Sequence, residues 1–391
     1  MTPDPSVILG NEPGSFAWGV LAERHPALIE KVRGAFPYGP GQHRALDALL
    51  TQITQGVIEP LADDAHDAAR WAVWGRGHFG RSWFDVPFLW AESYFYRKLL
   101  EAVGYFEDGP WRGIDPFGPF KQAELRTVEA DEEPTELDHP GLSPADAQAQ
   151  AQALLLGSLW GNRADLGFHI TSGTATTDTG GGSLVADQSA LLWTLLPEGS
   201  SATVCVVADN AGRELLADLL LIDHLLSLRH AEHVVLHVKP YPYFVSDATT
   251  ADVIECLRRL TAMRGAVTAA GQRLWSALSS GRLAVRSHAF SCAPLPYADM
   301  PDDLRGEFSE VTLTLMKGDL NYRRLVGDRN WSATTPFADR TAYFPSPVAA
   351  LRTLKSDVVV GLDDKTEAIF VEAHEQRWRT SGTHALIQVR R

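Results

Sequence analysis

The sequence predicts an α/β protein, a largely parallel sheet preceded by a helical N-terminal lobe. Up to about position 160, apolar residues recur at three- and four-residue intervals in segments too long for strands. After about position 200, short β-rich runs alternate with helical segments, the pattern of a parallel layer. The chain has 391 residues, beyond the ~250–300 at which one core usually stops growing, so two lobes are expected.

The helical reading rests on FAWGVLAERHPALIEKV, HRALDALLTQITQGVIEPL and WFDVPFLWAESYFYRKLLEAV. Residues 124–148 are rich in acid, Pro and small side chains, which suits an exposed connection into a further helix at AQAQALLLGSLWGN. The lobes are accordingly taken as residues 1–157 and 158–391. GTATTDTGGGSL reads as a polar surface loop. The β-rich runs are TVCVVADN, HVVLHVK, LAVRSHAF, EVTLTLMK and the final ALIQVR.

Charge and composition narrow the function. The chain carries 35 Lys and Arg against 49 Asp and Glu, a formal charge of −14, so a broad basic surface for nucleic acid or an anionic membrane is not expected. An anionic substrate then needs a metal or locally focused positive charge. Cys205, Cys256 and Cys292 are too few and too widely spaced for a disulfide framework or a Cys-rich zinc site. The N-terminus has neither a basic leader nor a continuous apolar segment, and later apolar runs are interrupted by acids. A cytoplasmic protein without a membrane span is expected.

In TVCVVADNAGRELLADLLLIDHLL an apolar strand runs directly into Asp209 and Asn210 and then into a long helix. Ligands of open α/β sheets sit at such strand ends. The next strand leads to Asp247, 38 positions further on, so neighbouring strands bring both acids to one rim. Two carboxylates and an amide are hard oxygen ligands suited to Mg²⁺ or Mn²⁺, with room left for water and a phosphate oxygen. On this segment alone, Asp209 and Asn210 serve equally well as helix caps.

A second cluster, Lys317, Asp319, Asn321, Arg323 and Arg324, crowds the end of EVTLTLMK and the following turn. Arg forks onto phosphate oxygens, and Asp and Asn fix hydroxyls; a capped helix with a basic first turn is the plain alternative. Arg352 and Lys355 of LRTLKSDVVVGL offer further positive charge. The G-x-G-x-x-G at Gly75, Gly77 and Gly80 follows a helical segment rather than a strand, which argues against a dinucleotide site. His224, His230, His233 and His237 lack zinc-site spacing and read as packing or surface residues. Trp90, Glu92, Tyr94 and Arg97 are candidates for the roof of a cleft.

VADNAGRE, HVKPYPYFVSDAT, KGDLNYRRLVGDRNW and LRTLKSDVVVGL together resemble the damage-control phosphatase family, in the subfamily of the acidic-residue methyltransferase homologues. PGSFAW, WAESYFYRKLL and SLWGNRADLG extend the likeness over most of the chain. The resemblance implies a Rossmann-like α/β domain with a divalent metal (Mn²⁺, Ni²⁺, Co²⁺ or Mg²⁺) on Asp209, Asn210 and Asp247. It also implies substrate binding by the DLNYR stretch, Asp319 to Arg323, and by the RTxK stretch, Arg352, Thr353 and Lys355. Lys317 and Asn162 join these candidates. SLWGNRADLG departs from the usual family version at Gly167, where Ser is more common.

The implied activity is hydrolysis of small phosphate esters, sugar phosphates such as fructose 1-phosphate among them. On this expectation the metal takes the phosphoryl group and orients a water, Asp247 helps to deprotonate it, and Lys355 and Arg323 offset charge on the phosphoryl oxygens. An aspartyl-phosphate route is disfavoured because Ala211 stands where the haloacid-dehalogenase pattern has its second Asp. The alternatives are an S-adenosylmethionine-dependent protein carboxyl methyltransferase and a non-catalytic sugar-phosphate sensor. A methyltransferase needs a Gly-rich turn after the first strand, where this chain has Ala208, Asp209 and Asn210. Oligomeric state is not legible.

Overall fold

The structure is a computed structural model that describes residues 4–127, 130, 132, 134, 144–161 and 183–391. Its described strands form one seven-stranded sheet. They are β1 (Ser183–Asp187), β2 (Thr203–Val207), β3 (His233–Val238), β4 (Leu283–Ser287), β5 (Leu313–Lys317), β6 (Val348–Thr353) and β7 (His384–Arg390). Their spatial order is β1-β7-β6-β5-β2-β3-β4. β4, β3, β2, β5 and β6 run parallel, β7 is antiparallel to β6, and β1 is parallel to β7. Ser183 and Leu184, read from sequence as the end of a loop, instead begin β1.

The strands are apolar on both sides because both faces are covered. Alternation along β2 sends Cys205 and Val207 into the core shared with the N-terminal helices, and Val204 and Val206 into a second core on the opposite face. In the N-terminal region, α1 (His25–Arg33) and α2 (Pro40–Gln55) each start near a Pro, which suits the first helical turn. α2 buries Leu46, Leu49 and Ile53, one stripe at three- and four-residue spacing. α3 (Ala68–Trp74) is short, whereas α4 (Phe88–Ala102) is buried along nearly its whole length. α4 is buried on most sides, Glu92 and Arg97 included, because it lies in the middle of this layer.

α5 (Gly118–Leu125) leads toward α6 (Pro144–Trp160), which packs against α8 (Arg213–Ser227) on the second face; α7 (Ser189–Leu195) lies between them in sequence. The sequence boundary at 157/158 falls inside α6. α9 (Thr250–Ala262), held by a Thr249–Asp252 capping box, and α10 (Ala266–Ser280) complete that layer.

Strand order reverses around β2. The chain passes from β2 to β3 and β4 on one side, then returns to β5 and β6 on the other. The carboxyl ends of β2 and β5 therefore flank a topological switch point, the place where open α/β sheets bind ligands. Val358, Val359 and Val360 are buried without forming a strand. Among the described residues no helix is long and apolar enough to cross a membrane.

Candidate functional site

β2 ends at Val207, and Ala208, Asp209 and Asn210 carry the chain over the switch point. Backbone bonds fasten this segment to the one holding Asp247. Asn210 and Asp247 form an antiparallel bridge, Ala248 N–H donates to Asp209 O at 2.8 Å, and Ala211 N–H donates to Ser246 O at 2.6 Å. Asn210 Nδ2 donates to Asp209 Oδ2 at 3.0 Å and to Glu214 Oε2 at 2.8 Å, while Ser246 Oγ donates to Asn210 Oδ1 at 2.5 Å. The Phe244 N–H fixes Asp247 Oδ2 at 3.0 Å. Lys121 Nζ donates to the Asp247 carbonyl at 2.8 Å and to Asp115 and Asp252 at 2.9 Å each.

The start of α8 bears on the helix-capping alternative. The residue preceding α8 is Gly212, and no side chain caps that helix, so Asp209 and Asn210 are not its caps. Asp209 and Asp247 are both buried. Burial pushes the Asp209 carboxyl well above its usual range, and the nearby charges of Glu214 and Asp247 push it further; Lys355 and Lys239 pull it back only in part. Among the described residues no three His, Cys, Asp or Glu side chains gather into a metal cluster; the candidate donors are two carboxylates and an amide. Buried negative charge held by neutral donors at a strand end fits a hard divalent cation.

Across the switch point, β5 runs into Gly318 and α11 (Gly318–Val326). Gly318 has φ +80°, and a β-carbon there would sink into the Asp209 carboxylate. Asp209 occupies its position because residue 318 has no side chain. Gly318→Ala is expected to cost about 2–5 kcal/mol, from left-handed strain and steric overlap. Gly77, also left-handed at φ +82° but in open space, is expected to lose only about 1–2 kcal/mol as Gly77→Ala. Urea denaturation of both variants makes the comparison.

The other residues of the second cluster have mostly internal partners. Asn321 Nδ2 donates to Ala208 O at 3.1 Å and Lys317 O at 2.9 Å, lacing β5 to the end of β2. Lys317 donates to Ser158 O at 2.5 Å, Glu214 at 3.0 Å and Asp218 at 2.9 Å. Arg323 grips Asp328 with two nitrogens, at 2.8 and 3.2 Å, and Glu92 with the third, at 2.9 Å. Arg324 donates to the carbonyls of Leu295, Ser291 and Phe290. All three cations are buried. The arrangement expected from sequence, in which Lys317 and Arg323 face a substrate, is not what the side chains adopt.

Asp319 joins the two motifs. Its Oδ1 accepts from Arg352 Nε at 2.9 Å, from the Lys355 N–H at 3.2 Å and from Ser356 Oγ at 3.0 Å. Arg352 is fully buried over the Tyr322 ring and also donates to the carbonyls of Val358 and Ser356. Burial would raise the Asp319 carboxyl, but Arg352 and Arg323 hold it below its usual value. Thr353 donates to Leu159 O at 3.2 Å. Asp319 and Arg352 thus form a clamp at the base of the turn that presents the exposed Lys355. Asn162 and Gly167 lie outside the described residues.

The structure brings together Asp209, Asn210 and Asp247, with Lys355 close enough for its charge to act on Asp209. Sequence reasoning omitted Glu214 and Lys239. Glu214 stands in the first turn of α8, one helical turn beyond Asn210, a spacing that could have flagged it. Of the four cleft-roof candidates, Glu92 reaches this region through Arg323. Trp90 and Tyr94 stack within the helical core, and Arg97 pairs with Asp67 at 2.6 Å. His224 and His230 stack on each other, and His237 pairs with Glu307 at 3.3 Å. Gly75, Gly77 and Gly80 follow α3, not a strand.

A family model described as the damage-control phosphatase ARMT1-like domain matches residues 20–369. Similar proteins include Damage-control phosphatase ARMT1 of Mus musculus, 29% identical over 440 aligned residues, covering 99% of each chain. That of Xenopus laevis is 30% identical with 96% of each chain covered, and that of Homo sapiens is 28% identical with 98% of each covered. Among solved structures, a DUF89 family protein from Pyrococcus horikoshii aligns with a TM-score of 0.47 at 16% identity, covering 88% of this chain and 91% of that one.

Proposed function

The chain belongs to the ARMT1-like damage-control phosphatase family, and from that premise we propose that it hydrolyses small phosphorylated metabolites, sugar phosphates such as fructose 1-phosphate among them, with a divalent metal. Mn²⁺, Ni²⁺, Co²⁺ and Mg²⁺ are the candidate ions, and Asp209, Asn210 and Asp247 the residues that would hold one. The observation that supports this most is the convergence at the switch point of two buried carboxylates, Asp209 and Asp247, of which Asp209 carries a charge that burial and its acidic neighbours make unfavourable without a cation. A bound divalent ion would supply Lewis-acid stabilisation of phosphoryl charge.

In this reading the chain's own groups position the reactants. Water oxygen bonds to phosphorus as the ester oxygen leaves, and Asp247 takes the water proton. The Phe244 N–H and the backbone anchor from Lys121 hold Asp247 for that role. Lys355 binds the non-bridging oxygens, steadied by the Asp319–Arg352 clamp. Arg323, committed to Asp328 and Glu92, acts by stiffening this wall. The three free, buried cysteines fit a cytoplasmic setting.

Lys355→Met should lower kcat/KM by about 10²-fold, the effect of losing one preorganised charge donor. Stability should stay within about 0.5 kcal/mol, because the side chain is exposed. Initial rates and urea midpoints on one preparation check both halves. The test of the function itself is phosphate release from an ester panel that includes fructose 1-phosphate, after chelation and after restoration of each metal. Release restored by metal supports the proposal. Absence of release from every ester, with S-adenosylmethionine bound and protein carboxylates methylated, would replace it with the methyltransferase; ester binding without turnover would replace it with the sensor.

A further inference from the structure

Three lysines are buried in the described structure: Lys121, Lys239 and Lys317. Lys121 and Lys317 each have two carboxylates and a carbonyl within hydrogen-bond reach. Lys239 differs. It is 2% exposed, and its ammonium lies 5.8 Å over the Tyr243 ring. Among the described residues no carboxylate stands within ion-pairing distance of it, and no hydrogen bond reaches it. Asp209 is the carboxylate its charge acts on, from beyond ion-pairing distance, and an ammonium with no hydrogen-bond partner has donors free for an anion supplied from outside the fold.

Its place in the sheet indicates which anion. Val207 of β2 and His237 of β3 are register partners, and Ala208 N–H donates to His237 O at 2.9 Å. Two residues further on, Asp209 and Lys239 emerge level with each other from neighbouring strands. The Lys239 backbone is fixed by its N–H bond to Ala248 O at 2.8 Å and by a bridge to Thr249, two residues after Asp247. A fixed backbone thus holds this lysine at the rim, level with Asp209. Its charge, like that of Lys355, already acts on the Asp209 carboxyl.

We propose that Lys239 is a second phosphoryl-binding residue, its ammonium pairing with the non-bridging oxygens of a phosphate monoester seated at Asp209, Asn210 and Asp247. A lysine suits that role as a compact point charge. Lys355, exposed on its turn, provides the first and more adjustable contact; Lys239 provides the fixed one. The assignment deepens, and rests on, the phosphatase reading above.

The experiment uses the full chain as wild type, Lys239→Met and Lys239→Arg, each with Mn²⁺. Affinity for inorganic phosphate is measured by titration calorimetry, unfolding temperature without anion by scanning calorimetry, and kcat and KM on an ester the wild type hydrolyses. The Met variant is expected to bind phosphate at least tenfold more weakly and to raise KM. Its unfolding temperature without anion should stay close to that of the wild type, because the ammonium makes no hydrogen bond or ion pair to lose; the Arg variant should recover part of the affinity. Unchanged phosphate affinity in the Met variant, or a lowered unfolding temperature with affinity intact, overturns the assignment and makes Lys239 a packing residue. Phosphate binding without hydrolysis of any ester, with the Met variant still weakened, sinks the phosphatase reading and leaves Lys239 as an anion ligand. Hydrolysis by the wild type with an unaltered Met variant does the reverse.

Discussion

Asp209→Asn lowers kcat/KM for metal-supported phosphate release on the order of 10³-fold and leaves the folded chain at least as stable as the parent. The activity half follows from charge: a metal's stabilisation of the phosphoryl group amounts to several kcal/mol, and each 1.36 kcal/mol is a factor of ten. Asn keeps the shape of Asp but gives up the negative charge that would attract the proposed cation. The stability half follows from the metal-free fold, where burial and the charges of Glu214 and Asp247 all disfavour the Asp209 carboxylate. An amide in its place relieves that repulsion and still fits beside Gly318. Steady-state rates with saturating Mn²⁺, and urea denaturation in chelator, measure the two halves on the same protein. A rate loss accompanied by a large stability loss would mean that Asp209 serves the fold rather than the metal.

Lys317→Met costs about 3–5 kcal/mol, the range for breaking a buried ion pair by removing one partner. The lysine is 1% exposed and joins Ser158 O, Glu214 and Asp218, the last with a fully buried side chain. Without it, Asp218 keeps its 2.6 Å bond from Ser158 Oγ but loses its cation. Burial already raises this carboxyl, and Lys317 opposes that rise. Adding Asp218→Leu should recover part of the loss, because the stranded charge is removed along with its partner. If Lys317 instead reached the substrate, the Met variant would raise KM with stability near that of the parent. Chemical denaturation beside KM measurements separates these outcomes, and fluorescence from the protein's eleven Trp supplies the signal.

The alternation of strand and helix after position 200 was legible because buried parallel strands read as short apolar, β-branched runs, and TVCVV and HVVLHV do so plainly. β1 was not legible: five residues following a Gly run carry little pattern of their own, and their strand character comes from pairing with β7 nearly two hundred positions later. The VVV run at 358–360 shows the opposite case, β-branched composition without a strand. Its burial is imposed by tertiary packing, and the Val360 N–H bonds the Tyr322 hydroxyl at 3.2 Å rather than a neighbouring strand.

The strand-end rim of Asp209, Asn210 and Asp247 could be read because consecutive strands bring their ends together. What each cation faces could not. Arg323 meets Glu92 across 231 positions, and Lys317 meets Glu214 across 103. Local spacing gives a basic cluster but does not say whether its members turn inward or outward. Lys239 escaped notice for the same reason: that it is buried and unpaired follows from the packing of β3 and the Tyr243 loop, not from its neighbours in sequence.

Whether Asp209, Asn210 and Asp247 hold the ion on which hydrolysis depends is read directly from Mn²⁺ binding. Chelated protein is titrated with Mn²⁺ while free Mn²⁺ is followed by electron paramagnetic resonance, for the wild type and for the Asp209→Asn/Asp247→Ala double variant. Phosphate release is read from the same samples. The account predicts one ion per wild-type chain, release that rises in step with occupancy, and affinity in the double variant lower by at least about 10²-fold, the upper range already seen for residues that only support a metal's ligands. Equal Mn²⁺ affinity in the double variant, or undiminished release from the chelated wild type, would contradict it.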